Sequence, residues 1–503
     1  MSASQQHRRS FLSAAHLAGQ AILLNAISVP VMAYIIRSLG AERYGQWSTA
    51  AALVAVASVM TNLGLRGVFV RTVAQNPDSA EKTLAAQLGA RAVLSLLAAA
   101  AVIAAVFALR YPRVIVECAA VASIGIFLTA ASSALSDLLQ GLNRISVYAA
   151  ANFVGGLVLT ALSVVVIWMG GGAVALAGAY LSGPTITALI LLAVVQKKFF
   201  PVRISGGMSN AWRHLVHSRF FAAQQFTNTF AANQESLLLP KFVSSGNFGL
   251  FSGGLLLASR LTIVPDSLAS AFYPVIANSH GRDPQASSRD VVRFLLLALL
   301  VCLPVVVVVL FLAGPIAHVL FPKNPQICQR VICITIWSLP LLGLENVMGY
   351  SLNAAGRDAL QARYTVYSAA ASLLLATILI SQFGLIGACW SFVLRIAVKI
   401  AFIAAPFVRT FSPSLPLWRL ARILAGGGAM AGGMWVIQQV LSGWNMNPTH
   451  PEGIRDWAGL LLSWGVQGTL GMAAYAVTLM LLRILHVRDV IQLLGRHPDE
   501  VLA

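Results

Sequence analysis

Apolar runs of twenty or more residues recur from one end of this chain to the other, and that leaves few folds open. The run FLLLALLVCLPVVVVVLFLAGPIAHVL, residues 294–320, contains no Asp, Glu, Lys or Arg. In hydrocarbon every backbone N–H and C=O must be paired within the structure, which an α-helix achieves by itself, and about 20 residues suffice to cross the bilayer. Such runs fall near residues 12–36, 45–67, 84–109, 114–139, 147–169, 171–196, 218–242, 247–277, 292–319, 328–354, 362–382, 384–407, 418–441 and 456–485. The chain is therefore expected to be an all-α integral membrane protein with about fourteen transmembrane helices. Its composition agrees: 58% hydrophobic and 10% charged, where a soluble domain carries about 25% charged residues.

The first apolar run, from about Phe11 to Ile36, is longer than a signal-peptide core and ends without an A-x-A cleavage pattern. It reads as a retained first helix. The formal charge of +18 invites a nucleic-acid partner, but the Lys and Arg residues flank the spans instead of forming a basic stripe. Tallied over alternate loops, most fall on the side of the N-terminus, so both termini are expected on the cytoplasmic side. An even helix count is needed to keep that alternation. The five cysteines form no CxxC pair and have no ligand-spaced histidine, which speaks against metal or disulfide roles. No connection is long enough to hold a catalytic domain, so the chain is not expected to be an enzyme. Trp47, Tyr111, Trp444 and Trp457 fall near span ends and read as interfacial anchors.

The most polar connection is QKKFFPVRISGGMSNAWRHLVHS, residues 196–218, and the two sides of it echo each other. AERYGQWSTAAALV matches SGNFGLFSGGLLLA in placing aromatic-Gly-x-aromatic ahead of a span. LLQGLNRISVYAAANFVGG likewise matches SLNAAGRDALQARYTVYSA, and ALAGAYLS matches GLIGACWS. The expected organisation is two six-helix lobes related by an internal repeat, residues 1–196 and 218–407, joined by a cytoplasmic linker at 197–217. Helices 13 and 14 and a cytoplasmic tail follow in 408–503. Repeats with a binding site between them are a common transporter plan.

Four cations lie inside the apolar runs: Arg91, Arg260, Arg395 and Lys399. A charge at membrane depth costs at least about 2.5 kcal/mol, so it faces a partner or a wet cavity. Arg395 and Lys399 are four apart and share a helix face. The run FFAAQQFTNTFAANQESLLLP sets Gln224, Asn228 and Glu235 on one stripe, which must face the protein interior. Of the 16 Asp and Glu residues, few lie deep in the apolar runs, among them Asp137, Glu235, Asp266 and Glu345.

NAISVPVMAYIIRSLGAERYGQWSTAAALVAVASVMTNLGLRGVFVRTVAQ resembles the opening of polysaccharide (O-antigen and exopolysaccharide) flippases, members of the multidrug/oligosaccharidyl-lipid/polysaccharide exporter superfamily. The shared elements are R-x-LG-x-E-x-[YF]-G at Arg37–Gly45, the N-LGL turn at Asn62–Leu65 with Arg71 downstream, and LLQGLNR at Leu138–Arg144. Tyr273-Pro274 stands where the family closes its eighth helix, and Gly384–Gly387 opens the twelfth. The resemblance implies a central cavity between lobes and alternating access. Its cargo would be a polyprenyl-pyrophosphate-linked oligosaccharide, with membrane lipids, and a polysaccharide polymerase and chain-length proteins as partners.

On that reading Arg260, Arg395, Lys399, Gln224 and Asn228 line the cavity and bind the head group. The Arg fork suits diphosphate oxygens. Other assignments remain open: Arg260 could pair with Glu235 or Asp266, Arg395 with Glu345 while Lys399 reaches to the interface, and Arg91 could snorkel. Glu235, Asp266 and Glu345 could carry a coupling H+ or Na+ or act as counter-ions; no other cofactor and no metal centre is expected. Two rivals are a lipid II flippase and a drug/cation antiporter, the latter opposed by a first helix without a carboxylate.

Overall fold

The computed structural model describes residues 3–62, 65–202, 219–282, 284–413, 416–442 and parts of 465–478, with side chains from residue 27 onward. Among the described residues the regular structure is helical throughout: α1 (Ala3–Ser58), α2 (Leu65–Gln75), α3 (Ala80–Ala108), α4 (Arg113–Gly141), α5 (Ile145–Trp168), α6 (Ala173–Lys198) and α7 (Arg219–Leu238). After these come α8 (Ser245–Leu261), α9 (Ile263–Arg282), α10 (Pro284–Leu320), α11 (Pro325–Thr335), α12 (Ser338–Ala354), α13 (Asp358–Phe411) and α14 (Leu417–Ser442). Among the described residues, eight stretches are long and apolar enough to cross a membrane, or nine with the bent pair Ile27–Thr61 and Leu65–Gln75. Neither α7 nor α14 is among them, and most of 456–485 lies outside the described residues. Large apolar side chains that no protein covers, such as Leu96, Phe107, Trp168, Leu374 and Phe383, supply the lipid-facing surface.

The 54-residue helix α13 holds two of the expected spans. At ~1.5 Å per residue, residues 358–411 would run to roughly 80 Å if straight, against a hydrocarbon core of about 30 Å. Gly384 adopts φ 55 and ψ −125, left-handed backbone that glycine enters without a Cβ penalty. A Cβ on Gly387 would stand 1.9 Å from the Leu379 carbonyl oxygen, an approach impossible along a continuous helix. The chain thus turns sharply between the expected spans 362–382 and 384–407. Gly40, at φ 75, breaks α1 in the same way.

Proline sets two further breaks. A proline ring clashes with the carbonyl four residues earlier. For Pro265 that carbonyl is Leu261, where α8 ends; for Pro340 it is Ile336, in the gap between α11 and α12. Pro274, in contrast, does not close its helix: α9 runs on to Arg282.

The chain divides into two compact units, Met1–Ser252 with Ala376–Ala388, and Gly253–Leu375 with Cys389–Ala503. In the first, α4 packs against α1, α3 and α6, and α5 against α1 and α6. Its core gathers Leu84, Leu135, Leu138, Leu139, Leu191 and Val195. Here the two echoing motifs meet. A Cβ on Gly45 would lie 1.8 Å from the Ser245 carbonyl oxygen, and one on Gly249 the same distance from that of Ala41. Only glycine at both places permits this backbone crossing. Trp47, expected at the interface, is instead buried, its ring 4.7 Å from that of Tyr180 and 5.6 Å from that of Tyr44. Tyr111 lies in the α3–α4 turn beneath the Lys241 ammonium, 3.7 Å from its ring centroid, and burial pushes its phenol up to about 12. In the second unit α9, α10 and α12 pack together over Ile276, Val291, Leu295, Val347, Met348, Leu352 and the α13 residues Ile403, Phe407 and Phe411. Phe272 and Phe294 stack at 3.9 Å.

Candidate functional site

Among the described residues, charged clusters sit inside the helices of each unit. In the first, Arg91 on α3 is 1% exposed. It does not snorkel. Its Nη2 donates to Asp137 Oδ2 on α4 at 2.6 Å and to Asn62 Oδ1 at 2.9 Å, and its Nη1 to the Ala130 carbonyl at 3.3 Å. Arg66, at the start of α2, approaches the other Asp137 oxygen at 3.4 Å and donates to Gln140 Oε1 at 3.0 Å, with its side chain 58% exposed. One carboxylate thus serves two guanidiniums and ties the chain break at Asn62 to α3 and α4.

The second cluster lies on α9, α12 and α13. Lys399 Nζ sits 2.7 Å from Glu345 Oε1; the lysine side chain is 26% exposed and the glutamate's 9%. The neighbouring Asn346 donates its amide to Asp266 Oδ1 at 2.8 Å. The two proline breaks set the helices that carry these carboxylates: Asp266 directly follows Pro265, and Glu345 lies five residues after Pro340. Gly349, one turn after Glu345, leaves the space that Gln361 fills. A Cβ there would stand 2.8 Å from the Gln361 amide nitrogen and 3.8 Å from Glu345 Oε1. The Gln361 carbonyl oxygen is buried without a hydrogen-bond donor among the described residues. Tyr350 lies within electrostatic reach of both Asp266 and Glu345.

The remaining expected site residues are spread more widely. Arg260 is exposed near the end of α8. Arg395 is half-buried one turn before Lys399, its guanidinium 4.9 Å from the Phe392 ring centroid. Asn228 is half-buried on α7, whereas the Gln224 side chain lies outside the described residues. Glu235 is 1% exposed and accepts from the Gln234 amide at 3.1 Å. The structure thus joins Glu345 to Lys399, not to Arg395. Sequence reasoning missed Arg91–Asp137, whose partners are 46 residues apart, as well as Asn346, Tyr350 and Gln361. The usable signals were Asp137, the carboxylate near the C-terminal end of α4, opposite the lone arginine of α3, and a glycine one turn after Glu345.

This architecture has known counterparts. Residues 14–280 match the family described as polysaccharide biosynthesis protein, and residues 249–380 match the MatE family. The chain belongs to the polysaccharide biosynthesis protein family. A Haloferax volcanii protein named "Probable low-salt glycan biosynthesis flippase" is 21% identical over 375 residues, 73% of this chain and 76% of that one. Among solved structures, the lipid II flippase MurJ in an inward closed conformation matches with TM-score 0.62 at 15% identity, covering 93% of this chain and all of that one. An inward-facing multidrug resistance MATE transporter of the MOP superfamily also reaches 0.62 at 15% identity, over 81% and 94%. The family member described here therefore has the MOP superfamily fold, built into a multi-pass helical membrane protein.

Proposed function

We propose that the protein is a flippase, not an enzyme, that moves polyprenyl-pyrophosphate-linked oligosaccharide across the bacterial inner membrane for cell-surface or exopolysaccharide biosynthesis. The observation that carries this reading is the polysaccharide biosynthesis family match over more than half the chain, extended by a relative named as a glycan biosynthesis flippase. Fourteen spans, two six-helix lobes with two helices appended, cytoplasmic termini and alternating access complete the proposal. Arg260, Arg395 and Lys399 supply positive charge at membrane depth, where a diphosphate is their chemical complement. Asn228 and Gln224 offer amides to sugar hydroxyls. A polymerase and chain-length proteins would take the product onward.

Export of lipid-linked oligosaccharide in cells lacking their own flippase tests the proposal. Arg260→Ala and Arg395→Ala should each abolish export while the protein remains at normal abundance in the membrane; normal export by both would remove these residues from the cavity. Complementation of a strain lacking lipid II flippase activity separates the nearest alternative cargo, and a drug-resistance profile separates an antiporter.

A further inference from the structure

We propose that the turn between α13 and α14 is a docking site for the head group of an anionic phospholipid. The site does not depend on the cargo proposed above.

This turn gathers cations that the chain leaves unmatched. Between Asp358 and Glu452 the sequence holds no Asp or Glu, yet Arg409, Arg419 and Arg422 flank the connection 412–416. Arg409 lies in the last turn of α13, and Arg419 and Arg422 lie in the first two turns of α14. Arg409 and Arg419 are exposed and Arg422 is half-buried. Among the described residues none of the three takes part in an ion pair. Arg113, at the exposed start of α4, differs: it keeps Glu117 at 2.8 Å. Both helix ends are fixed. Ser412, at φ 43, donates its N–H to the Val408 carbonyl at 2.7 Å and ends α13. The Pro416 carbonyl accepts from the N–H groups of Arg419 and Leu420 and opens α14. The N–H groups ahead of these have no acceptor within the helix and add a positive end to the same turn.

Where it is not charged, the turn is apolar. Leu417 is 73% exposed and Trp418 67%, with Val408 and Leu424 also uncovered. A partner must therefore offer negative charge and hydrocarbon side by side. An acidic protein segment brings the charge alone, whereas a phospholipid carries its phosphate directly above acyl chains. The Arg422 guanidinium lies 4.7 Å from the Trp418 ring centroid. Stacking fixes the plane of the fork and leaves its N–H edges for phosphate oxygens. By the alternation of loops the turn falls on the side richer in Lys and Arg, the side on which anionic lipids attract basic segments.

Full-length protein reconstituted in phosphatidylcholine vesicles tests this, with brominated acyl chains as quenchers of tryptophan fluorescence. Comparison with Trp418→Phe isolates the share of the signal that belongs to Trp418. Brominated phosphatidylglycerol should quench that share more than an equal fraction of brominated phosphatidylcholine does, and the preference should shrink as salt rises. Arg409→Gln, Arg419→Gln and Arg422→Gln should each lower the preference by up to roughly fivefold, while Arg419→Lys should keep most of it. Equal quenching by the two lipids, or a preference untouched by salt or by the combined triple variant, would overturn the site. Displacement of the brominated phosphatidylglycerol by a soluble short-chain isoprenyl diphosphate at constant ionic strength would assign the surface to the cargo, and would overturn it as well.

Discussion

The Arg91–Asp137 and Lys399–Glu345 pairs share a chemistry and differ in everything around it. Arg91 is enclosed, bonded to a carboxylate, an amide and a backbone carbonyl, and attached to the break after α1. Among the described residues Lys399 has one ion-pair partner and keeps a quarter of its side chain uncovered. Burying an ion pair gains little by itself, because desolvation offsets attraction; removing one partner is what costs. The enclosed pair therefore reads as architecture, while the open pair has fewer bonds to lose. Membrane depth alone does not make a cation functional; the number of bonds it would have to give up decides.

The largest expected effect breaks the comparison if it fails. Arg91→Ala leaves Asp137 buried beside an exposed Arg66 and removes the donor to the Asn62 side-chain oxygen, a loss of about 3–5 kcal/mol that should appear as a collapse of membrane abundance and thermal stability. Lys399→Ala should keep the protein in the membrane and lose export. Equal abundance of the two variants would erase the distinction.

A conservative exchange sharpens it. In Arg91→Lys one ammonium must replace a fork that reaches three acceptors, at about 1–3 kcal/mol; Lys399→Arg can still meet Glu345 and should unfold at the wild-type temperature. The smallest effect concerns Arg66, which shares Asp137 from outside. Its pairing is longer and solvated, so Arg66→Ala should shift stability by at most about 1 kcal/mol. A loss as large as that of Arg91→Ala would show that Asp137 needs both guanidiniums.

Much of this was legible along the chain. The apolar runs anticipate α3 to α6 within a few residues, and the sharp turn at Gly384 falls between two expected spans. Pro265 lies inside the expected span 247–277 and breaks it in two. Echoing motifs around Gly45 and Gly249 were visible as sequence, but that their backbones cross in contact was not. Trp47 looked like an anchor because its position near a span end cannot reveal that Tyr44 and Tyr180 cover it. The site was read less well. Arg395 and Lys399 share a face by spacing alone, yet which of them would take Glu345 depends on the length of each side chain and the angle between α12 and α13.

The sequence by itself determined that the chain is a membrane-embedded helical protein of the polysaccharide biosynthesis family. Hydrocarbon leaves a backbone no other way to satisfy its hydrogen bonds locally, and local rules can be read residue by residue. Only the tertiary structure decided which buried charges are enclosed and which stay partly open. A charge-assisted bond between side chains requires approach to within ~3 Å, and that approach is set by helices brought together from distant parts of the chain.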